Sequence, residues 1–405
     1  MKYDFDERID RTEAISIKWS KQLRKQMFDE VDIIPMGIAD MDFKVSPAIA
    51  RAVQNRASHE TYGYGYPSEE YLQACVDWQK RRNNWEIQKD WIVYTPGVNM
   101  ALVCAIEMYA EVGDRVIVQS PVYYPYYDYI EGTGRKIAYN PLVNKDGRYE
   151  INYEGLENLA RDEKTKLMIL CSPHNPVGRC WSYEELLKVG QICNKYHVMV
   201  AVDEIHSDLI LQKEPFVPYA TVSDQLAQNC IICTSPSKTF NLAGLLVSDI
   251  IIPNESIRLA FKKKMAPYYL WPGNFGAVAQ IAAYNESEDW LEELLIYLRG
   301  NAEFLYQFTQ ARMPEVKCQV PQATYLAWMD FSAWKMSPRQ LWDFMLHRAR
   351  VAPDNGQVFG PNGEGDGFQR INFACPRAQL KEALERIADA RDKLNMSSTL
   401  CSENN

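Results

Sequence analysis

The sequence has no long hydrophobic run, no excess of positive charge and no repeated or low-complexity segment. None of its apolar stretches reaches the roughly 20 residues that a membrane-spanning helix needs. Its first residues, MKYDFDERID, are acidic and polar, unlike the apolar stretch of an export signal. The net charge of −9 gives no electrostatic basis for binding a phosphate backbone. We therefore expect a cytoplasmic protein that has neither a membrane nor a nucleic acid as partner.

The ten cysteines do not indicate a disulfide framework, because the chain is large and begins without an export signal. Most lie in apolar runs such as ALVCAIEMY and LMILCSP, so we expect small buried thiols. Cys230 and Cys233 have the spacing of a metal-binding pair, but their segment has the composition of a buried strand. No second Cys or His pair accompanies them, so the sequence predicts no metal site.

Short apolar runs alternate with amphipathic stretches from about Trp91 to Pro253. Six runs rich in Val, Ile and Leu are typical of buried strands: WIVYTPG, RVIVQSP, KLMILCSP, VMVAVDE, CIICTSPS and LLVSDIIIP. Two stretches between them have helical periodicity, NMALVCAIEMYAEVG and SYEELLKVGQICNKYH, and the second opens with a capping box from Ser182 to Glu185. This alternation predicts an α/β fold with a mostly parallel sheet and helices on both faces.

Chemically useful side chains follow five of these strands. Ligands bind beyond the carboxyl ends of the strands in open α/β sheets, so these residues should meet at one edge. They are Gly97-Val98-Asn99, Ser120 to Tyr123, Ser172 to Pro176, Asp203 to His206 and Ser235 to Lys238. Together they offer an acid, an amide, an aromatic ring, hydroxyls and a lysine. Pyridoxal 5′-phosphate (PLP) needs this set: an amine for its aldehyde, a carboxylate for its pyridine nitrogen, and donors for its phenolic oxygen and phosphate.

These motifs resemble the PLP-dependent class I/II aminotransferase family of fold type I, most closely its cystathionine β-lyase / cysteine-S-conjugate β-lyase branch. The resemblance runs from MGIADMDF to GFQRINFACP, and its most specific parts are CSPHNPVG, AVDEIHSDL and SPSKTFNLAGL. It implies a seven-stranded sheet in a large PLP-binding domain, residues 46–288. It also implies a smaller α+β domain of residues 1–45 and 289–405. The change of pattern after Asn285 itself predicts a long helix of about residues 289–312.

The resemblance assigns the central roles to Lys238, Asp203 and Asn175. Lys238 would bind the cofactor covalently and then act as general base, although a lysine alone is usually a solvated surface residue. Asp203 would pair with the pyridinium nitrogen, where an acid after a strand is otherwise a helix cap. Asn175 would donate to the phenolic oxygen and help hold the substrate carboxylate, where Asn-Pro is otherwise a turn signal. His206 occupies the place where many relatives have a tyrosine, and a structural role competes with cofactor binding there.

The resemblance also implies a phosphate site and a stacking partner for the cofactor ring. Backbone N–H groups at a helix N-terminus attract anions, and glycine permits close approach. The candidates for the phosphate are Gly97, Val98, Asn99, Ser235 and Ser237, with Thr239 as a further hydroxyl. Tyr123 is the candidate for stacking on the ring. Its neighbours Tyr124, Tyr126 and Tyr127 are expected to pack locally, as most aromatic residues do.

Substrate binding is assigned to Arg370, Ile38 and Ala39. An arginine in an apolar strand is costly unless it is paired, and Arg370 would bind the substrate α-carboxylate with its two-pronged guanidinium. The alternative is an internal ion pair. The segment Ile38-Ala39-Asp40 would lie over the substrate, although Asp40 has a loop-capping role open to it. Tyr64 would complete the active site of a neighbouring subunit in a homodimer; the YGYGY repeat leaves Tyr62 as the alternative.

The branch that these motifs resemble implies a C–S β-lyase that converts cystathionine or cysteine S-conjugates to pyruvate, ammonia and a thiol. An aminotransferase acting on a hydrophobic or aromatic amino acid is the alternative, since the same cofactor supports both reactions. A third possibility is a PLP-binding regulator, against which the presence of Lys238, Asp203, Asn175 and Arg370 argues. The aromatic segment from Tyr268 to Trp271 has two interpretations, a reshaped substrate pocket and a subunit interface.

Overall fold

A computed structural model of the chain describes residues 2–402, with side chains described as far as Leu394. The chain folds as two compact units. Unit 1 contains the stretch up to Lys44, Ile296–Pro321 and the part from Tyr325 onward, and unit 2 contains Val45–Leu295 with Gln322–Thr324. The sequence predicted domain boundaries after residues 45 and 288. In the structure, the corresponding boundaries between the units fall after residues 44 and 295.

Short strands and helices of very different lengths alternate along most of the chain. The strands are β1 Ile34–Pro35, β2 Ile92–Thr95, β3 Arg115–Val118, β4 Lys136–Tyr139, β5 Val143–Lys145, β6 Arg148–Glu150, β7 Thr165–Cys171, β8 Met199–Asp203, β9 Cys230–Thr234, β10 Ser248–Ile251, β11 Leu326–Asp330, β12 Val351–Ala352, β13 Asp354–Asn355 and β14 Phe368–Asn372. The helices are α1 Lys21–Phe28, α2 Pro47–Ala57, α3 Glu69–Asn83, α4 Val98–Tyr109, α5 Pro125–Gly132, α6 Tyr153–Ala160, α7 Tyr183–Lys195, α8 Asp224–Ala227, α9 Pro236–Thr239, α10 Glu255–Met265, α11 Asn274–Glu286, α12 Glu288–Arg312, α13 Pro338–Asp343 and α14 Arg377–Ser402.

Unit 2 contains a seven-stranded sheet in the order β2-β10-β9-β8-β7-β3-β4. The five strands from β9 to β4 in this order are parallel, whereas β10 runs antiparallel to both of its neighbours. The mostly parallel α/β sheet predicted from the sequence is therefore confirmed. All six predicted strands are present. The seventh strand, β4, was not predicted, because it lies at the edge of the sheet and is only partly buried, so it forms no apolar run.

The sheet forms because its central strands are apolar on both faces. All residues of β8 and β9 are buried, and α4 packs its apolar residues on this part of the sheet in one hydrophobic cluster. The predicted capping box at the start of α7 is also confirmed. Ser182 Oγ accepts from Glu185 N at 3.2 Å, and Glu185 Oε2 accepts from Ser182 N at 2.8 Å.

The order of the strands reverses beside β3. From β3 the chain moves outward to β4, but the later strands β7, β8 and β9 add on the opposite side of β3. The loops that leave the carboxyl ends of β3 and β7 therefore diverge, and such a switch point is where open α/β sheets bind ligands. Four of the five expected cofactor segments follow β3, β7, β8 and β9, which are consecutive neighbours in the sheet, and the fifth, Gly97-Val98-Asn99, follows the edge strand β2.

Unit 1 contains an antiparallel sheet in the order β11-β14-β13 and a short parallel pair of β1 with β12. The long helix predicted at residues 289–312 is α12, Glu288–Arg312, and the division between the units falls within it. Nine of the ten cysteines have described side chains, and each of these nine is buried and reduced, as predicted; Cys401 lies outside the described side chains. No helix in the described part of the chain is both long and apolar enough to cross a membrane.

Candidate active site

Asp203 is the last residue of β8 and is 5% exposed. Its Oδ2 accepts a hydrogen bond of 2.6 Å from the Tyr126 hydroxyl, and its Oδ1 accepts one of 3.1 Å from Ile205 N. Burial raises the pKa of Asp203 above its ordinary value, while these two hydrogen bonds and the positive charge of Lys238 act to lower it. Such a carboxylate gains free energy when a further cation binds beside it.

The hydrogen bond between Tyr126 and Asp203 was not predicted from the sequence. Tyr126 does pack locally, with its ring edge-on to Tyr123 at 5.4 Å, but its hydroxyl also reaches Asp203. Burial and the negative charge of Asp203 raise the pKa of Tyr126 well above its ordinary value, so Tyr126 stays protonated and remains a donor. The sequence offered no sign of this, because Tyr126 is 77 residues from Asp203 and one of several adjacent tyrosines.

Glu204 follows Asp203 directly and is also buried, at 1% exposure. Burial is the main reason that the pKa of Glu204 is raised to about 8, and the charge of Asp203 adds to it. Tyr219 N donates to Glu204 Oε1 at 2.8 Å. Glu204 is therefore largely protonated near neutral pH. Of these two consecutive acids, Asp203 is the one on whose pKa the positive charge of Lys238 acts.

Lys238 lies in the single-turn helix α9, which begins just after β9. Ser235 caps this helix: its Oγ accepts from Ser237 N at 3.0 Å and donates to Val247 O at 2.7 Å. Because β8 and β9 are neighbouring parallel strands, with Asp203 opposite Cys233, α9 starts beside the end of β8. Lys238 therefore lies close enough to Asp203 for its positive charge to lower the pKa of Asp203.

Thr239 has a different position from the one expected. As a candidate for the phosphate site it should face the helix start of α4, but it is fully buried and its Oγ1 donates to Asp208 Oδ2 at 2.8 Å. A hydroxyl that is engaged inside the protein is not available to a phosphate. The expectation for Thr239 is therefore wrong. Ser237 in the same turn is only partly buried, and it remains a candidate.

Gly97 caps the N-terminus of α4 with φ +134°, a backbone conformation that residues with a Cβ rarely adopt. Thr95 Oγ1 donates to Gly97 O at 2.9 Å and fixes the turn between β2 and α4. Val98 and Asn99 are the first two residues of this helix. Their N–H groups are among those that lack a partner within a helix, which is the property that attracts an anion.

The loop after β7 holds Asn175, which is 4% exposed. Its backbone N donates to Cys171 Sγ at 3.5 Å. The neighbouring His174 ring contacts Pro121 O through Nε2 at 2.9 Å, which ties this loop to the loop after β3. Burial lowers the pKa of His174 to about 4, so the ring is neutral near pH 7. The side chain of Asn175 and the Tyr123 ring are thus carried by two loops that are fastened together at the switch point.

His206 lies in the turn that follows β8 and is 3% exposed. Its carbonyl accepts from Leu209 N at 2.9 Å, so the chain makes a turn at His206. This position is compatible with both interpretations of His206, contact with a cofactor and a structural role.

Arg370 lies in the centre of β14 in unit 1 and is 3% exposed. It forms an ion pair through Nη2 with Asp354, its cross-strand neighbour on β13, and the same nitrogen donates to Gly37 O at 3.3 Å. The guanidinium also lies 4.6 Å from the centroid of the Phe359 ring. The internal ion pair is thus present. A guanidinium has five N–H donors in a fork, so this pair does not exclude a second anion.

The segment Ile38-Ala39-Asp40 is held by its backbone carbonyls. Asn372 Nδ2 donates to Ile38 O at 2.7 Å and to Asp40 O at 2.9 Å, and the Tyr325 hydroxyl donates to Ala39 O at 3.0 Å. Arg370 and Asn372 are two residues apart on β14, so their side chains lie on the same face of the strand. From this face they contact Gly37 and the residues that follow it. The structure therefore brings Arg370 together with Ile38 and Ala39 in unit 1.

The Asp40 carboxylate has a partner of its own, Arg11 Nη2 at 2.8 Å. Its negative charge is therefore matched within unit 1. Asp40 thus secures the loop after Ile38 and Ala39, in keeping with the structural alternative for this residue.

Tyr62 and Tyr64 differ in their surroundings. The Tyr62 hydroxyl donates to Ala57 O at 2.9 Å and its ring stacks on Phe275 at 5.8 Å, whereas Tyr64 is 99% exposed. The backbone on both sides of Tyr64 is nevertheless anchored. Asn274 Nδ2 donates to Gly63 O at 2.7 Å, and a Cβ added to Gly65 would lie 2.2 Å from Pro272 O.

The residues of unit 2 fit PLP in their chemistry. The buried carboxylate of Asp203 can be matched by the protonated pyridine nitrogen, and Lys238 is in electrostatic range of it. The ends of β7 and β3 carry the amide of Asn175 and the ring of Tyr123, and the glycine-capped helix start follows β2, two strands from β9. No group of His, Cys, Asp and Glu that would hold a metal ion occurs among the described residues.

Comparison with known proteins places the chain among enzymes of this kind. The chain is 42% identical over 388 residues to cystathionine beta-lyase PatB of Bacillus subtilis, which covers 96% of this chain and 99% of PatB. The crystal structure of cystalysin from Treponema denticola, which contains a PLP cofactor, has a TM-score of 0.93 at 38% identity and covers 97% of this chain and all of its own. The PLP-bound C–S lyase from Staphylococcus hominis, in complex with L-cycloserine, has a TM-score of 0.89 at 31% identity, with 96% and 98% covered.

The model of the family described as aminotransferase class I and II matches residues 31–387. The match spans both units and includes every candidate for cofactor and substrate binding. The chain belongs to the aminotransferase class I and II family.

Proposed function

We propose that this chain is a PLP-dependent C–S β-lyase of cytoplasmic amino-acid metabolism. Its substrates are cystathionine or cysteine S-conjugates, and its products are pyruvate, ammonia and a thiol. The observation that carries the proposal is the buried Asp203 carboxylate in electrostatic range of Lys238, in a chain with end-to-end similarity to a cystathionine β-lyase.

Asp203, Asn175 and Lys238 would hold the cofactor. When bound, PLP supplies an electron sink for the negative charge that develops at the substrate Cα. Asp203 keeps the proton on the pyridine nitrogen, and the Tyr126 hydroxyl fixes the carboxylate orientation for this task. Asn175 would donate to the phenolic oxygen. The backbone N–H groups at the start of α4 and the turn of Ser235 and Ser237 would hold the phosphate.

Lys238 would then act as the general base. Its Nζ takes the proton from the substrate Cα, which permits the bond between Cβ and sulfur to break and the thiol to leave. Addition of one water to the remaining fragment gives pyruvate and ammonia. Arg370 binds the α-carboxylate, which every α-amino acid substrate carries whatever group leaves its β-carbon.

The products distinguish a lyase from an aminotransferase. With L-cystathionine as substrate, we expect pyruvate, ammonia and thiol in equal amounts, without any added keto acid. An aminotransferase would instead form a keto acid from unsubstituted amino acids, and only when an amino acceptor is present. Production of a keto acid that depends on the acceptor, with no thiol release, would contradict the proposal.

Arg370→Lys should lower kcat/KM for every amino acid substrate tested. Lysine keeps the positive charge but loses the two-point contact with a carboxylate, so we expect a decrease of about one to three orders of magnitude. The absorbance of bound PLP should persist, because Arg370 is not among the groups that would hold it.

Arg391→Lys is the matched control for this substitution. Arg391 pairs with Glu315 in unit 1 and is likewise mostly buried, but it has no proposed contact with substrate. Its kcat/KM should stay near that of the wild type. Unchanged kcat/KM in a folded Arg370→Lys protein would mean that Arg370 serves only its ion pair with Asp354.

We also propose that the active enzyme is a homodimer in which Tyr64 reaches the neighbouring subunit's site. Tyr64 is almost fully exposed on an anchored backbone, and it is accompanied by a group of exposed aromatic residues in unit 2: Tyr66, Tyr268, Tyr269 and Trp271. Large exposed apolar groups on a rigid surface favour association. We favour Tyr64 over the alternative Tyr62, whose hydroxyl donates to Ala57 O within its own chain.

Mixing two inactive variants tests the sharing of sites. Tyr64→Phe and Lys238→Ala, refolded together, should form hybrid dimers in which one site carries both substitutions and the other neither. Half of the dimers would be hybrids with one intact site of two, so about a quarter of wild-type activity should return. Tyr62→Phe as control should remain active by itself. No recovery despite measured subunit exchange, with an inactive Tyr64→Phe parent, would contradict the proposal.

A further inference from the structure

Asp208 is a buried carboxylate in unit 2 that has no role in the proposed reaction. It is 6% exposed and lies five residues beyond Asp203. The Thr239 hydroxyl donates to its Oδ2 at 2.8 Å, and Trp78 Nε1 donates to Oδ1 and Oδ2 at 3.2 and 3.3 Å. Its donors thus come from α9 and from α3, two elements far apart in sequence.

The charge of Asp208 is costly in this place. Burial raises the pKa of Asp208, and the Thr239 hydrogen bond, the charge of Arg82 and the Trp78 hydrogen bond act to lower it. Its donor Trp78 lies in an aromatic cluster, where it stacks on Tyr284 at 4.9 Å and packs against Phe240 at 5.6 Å. A buried carboxylate is a poor source of stability compared with an apolar side chain of the same size. A carboxylate at this place therefore points to a positional role.

The helix that the carboxylate holds is α9, which carries Lys238. This helix is only four residues long, and one turn has almost no stability of its own. The start of this helix is fixed by Ser235, whose Oγ donates to Val247 O at 2.7 Å. Its last residue is Thr239, adjacent to Lys238 and fully buried. Successive side chains of a helix point about 100° apart, so anchoring Thr239 in the interior determines the direction of Lys238.

We propose that Asp208 and Thr239 are positioning residues for Lys238. The stretch from Asp203, the last residue of β8, to Asp208 carries the proposed partner of the pyridine nitrogen at its start and the anchor of the lysine helix at its end. One short stretch of chain thereby positions both Asp203 and Lys238, the two groups between which the cofactor would lie. This inference rests on the proposed role of Lys238.

Thr239→Val tests the inference, because it keeps the shape of the side chain and removes the donor to Asp208. PLP is added to the cofactor-free protein, and its attachment to Lys238 is followed by absorbance and by borohydride trapping with peptide mapping. We expect attachment to slow about tenfold and kcat to fall about tenfold, the equivalent of about 1.4 kcal/mol, with KM little changed. The pH midpoint of the absorbance of the bound cofactor should also shift. Thr239→Ser, which keeps the hydroxyl, should restore all of these quantities.

Thr309→Val is the matched control. Thr309 is also fully buried, and its hydroxyl donates to Leu305 O at 2.8 Å within unit 1. It should lower Tm as Thr239→Val does but leave the attachment rate and the pH midpoint unchanged. If Thr239→Val does not fold, Asp208→Leu, which is similar in size and has no oxygen to accept from Thr239, should give the same slowing of attachment.

Two outcomes would overturn the inference, and they are distinguishable. Attachment rate, pH midpoint and kcat equal to those of the wild type in Thr239→Val would show that Lys238 needs no such anchor, with the proposed function intact. Absence of any adduct at Lys238 in the wild-type protein would remove the proposed function, and the positioning role with it.

Discussion

Replacing Lys238 with alanine should give a folded protein that binds no PLP covalently and has no measurable turnover. Removal of a general base alone costs about 10²- to 10⁴-fold in rate, and Lys238→Ala also removes the amine that attaches the cofactor. The measurement is borohydride reduction followed by mass analysis, together with pyruvate release from L-cystathionine. The far-ultraviolet circular dichroism should match that of the wild type, because the Lys238 side chain has no proposed part in the core.

Lys263→Ala is the control for this result. Lys263 is an exposed residue of α10, so its loss should change neither the adduct nor the turnover. A Lys238→Ala protein that still forms a stoichiometric adduct with PLP would mean that another lysine carries the cofactor.

Asp203→Asn should produce a similarly large loss while keeping the shape of the side chain. The amide cannot carry the negative charge that holds the proton on the pyridine nitrogen. Leaving a charged hydrogen-bonded group without its partner costs about 2–5 kcal/mol, a decrease of roughly 30- to 5,000-fold. We expect this decrease in kcat, accompanied by weaker binding of PLP in equilibrium dialysis.

Glu204→Gln provides the isosteric comparison one residue later. The raised pKa of about 8 means that Glu204 is largely uncharged near neutral pH, and an amide oxygen can accept the hydrogen bond from Tyr219 N equally well. We expect its kcat to stay close to that of the wild type. Equal losses in Asp203→Asn and Glu204→Gln would show that general damage to the end of β8, and not the charge of Asp203, is responsible.

The elements that the sequence could predict are those that contain a run of buried apolar residues. Residues 167–171 of β7 and all of β8 and β9 are buried, so each of these strands contains such a run. The edge strand β4 has only one buried residue among its four, so it forms no apolar run that could be recognised. The antiparallel direction of β10 was equally out of reach, since a buried strand has the same composition in either direction.

The candidate site divides in a similar way. Lys238, Asp203 and Asn175 follow strands directly, so their common location could be inferred from the order of the elements. The roles of Tyr126 and Asp208 depend on contacts between residues 77 and 31 positions apart, respectively, and no local pattern records them. Thr239 is the opposite case, in which the sequence predicted a contact that the structure does not support. It lies close in sequence to the candidate phosphate ligands, but its hydroxyl faces the interior of the protein.

The attachment site of the cofactor tests the proposed function most directly. The wild-type protein, loaded with PLP, is reduced with borohydride, digested and analysed by mass spectrometry. We predict one modified peptide, spanning SPSKTFNLAGL, with the added mass on Lys238 and close to one cofactor per chain. A cofactor found on any other lysine, or a protein that retains none, would contradict the assignment of Lys238 and the proposed function that depends on it.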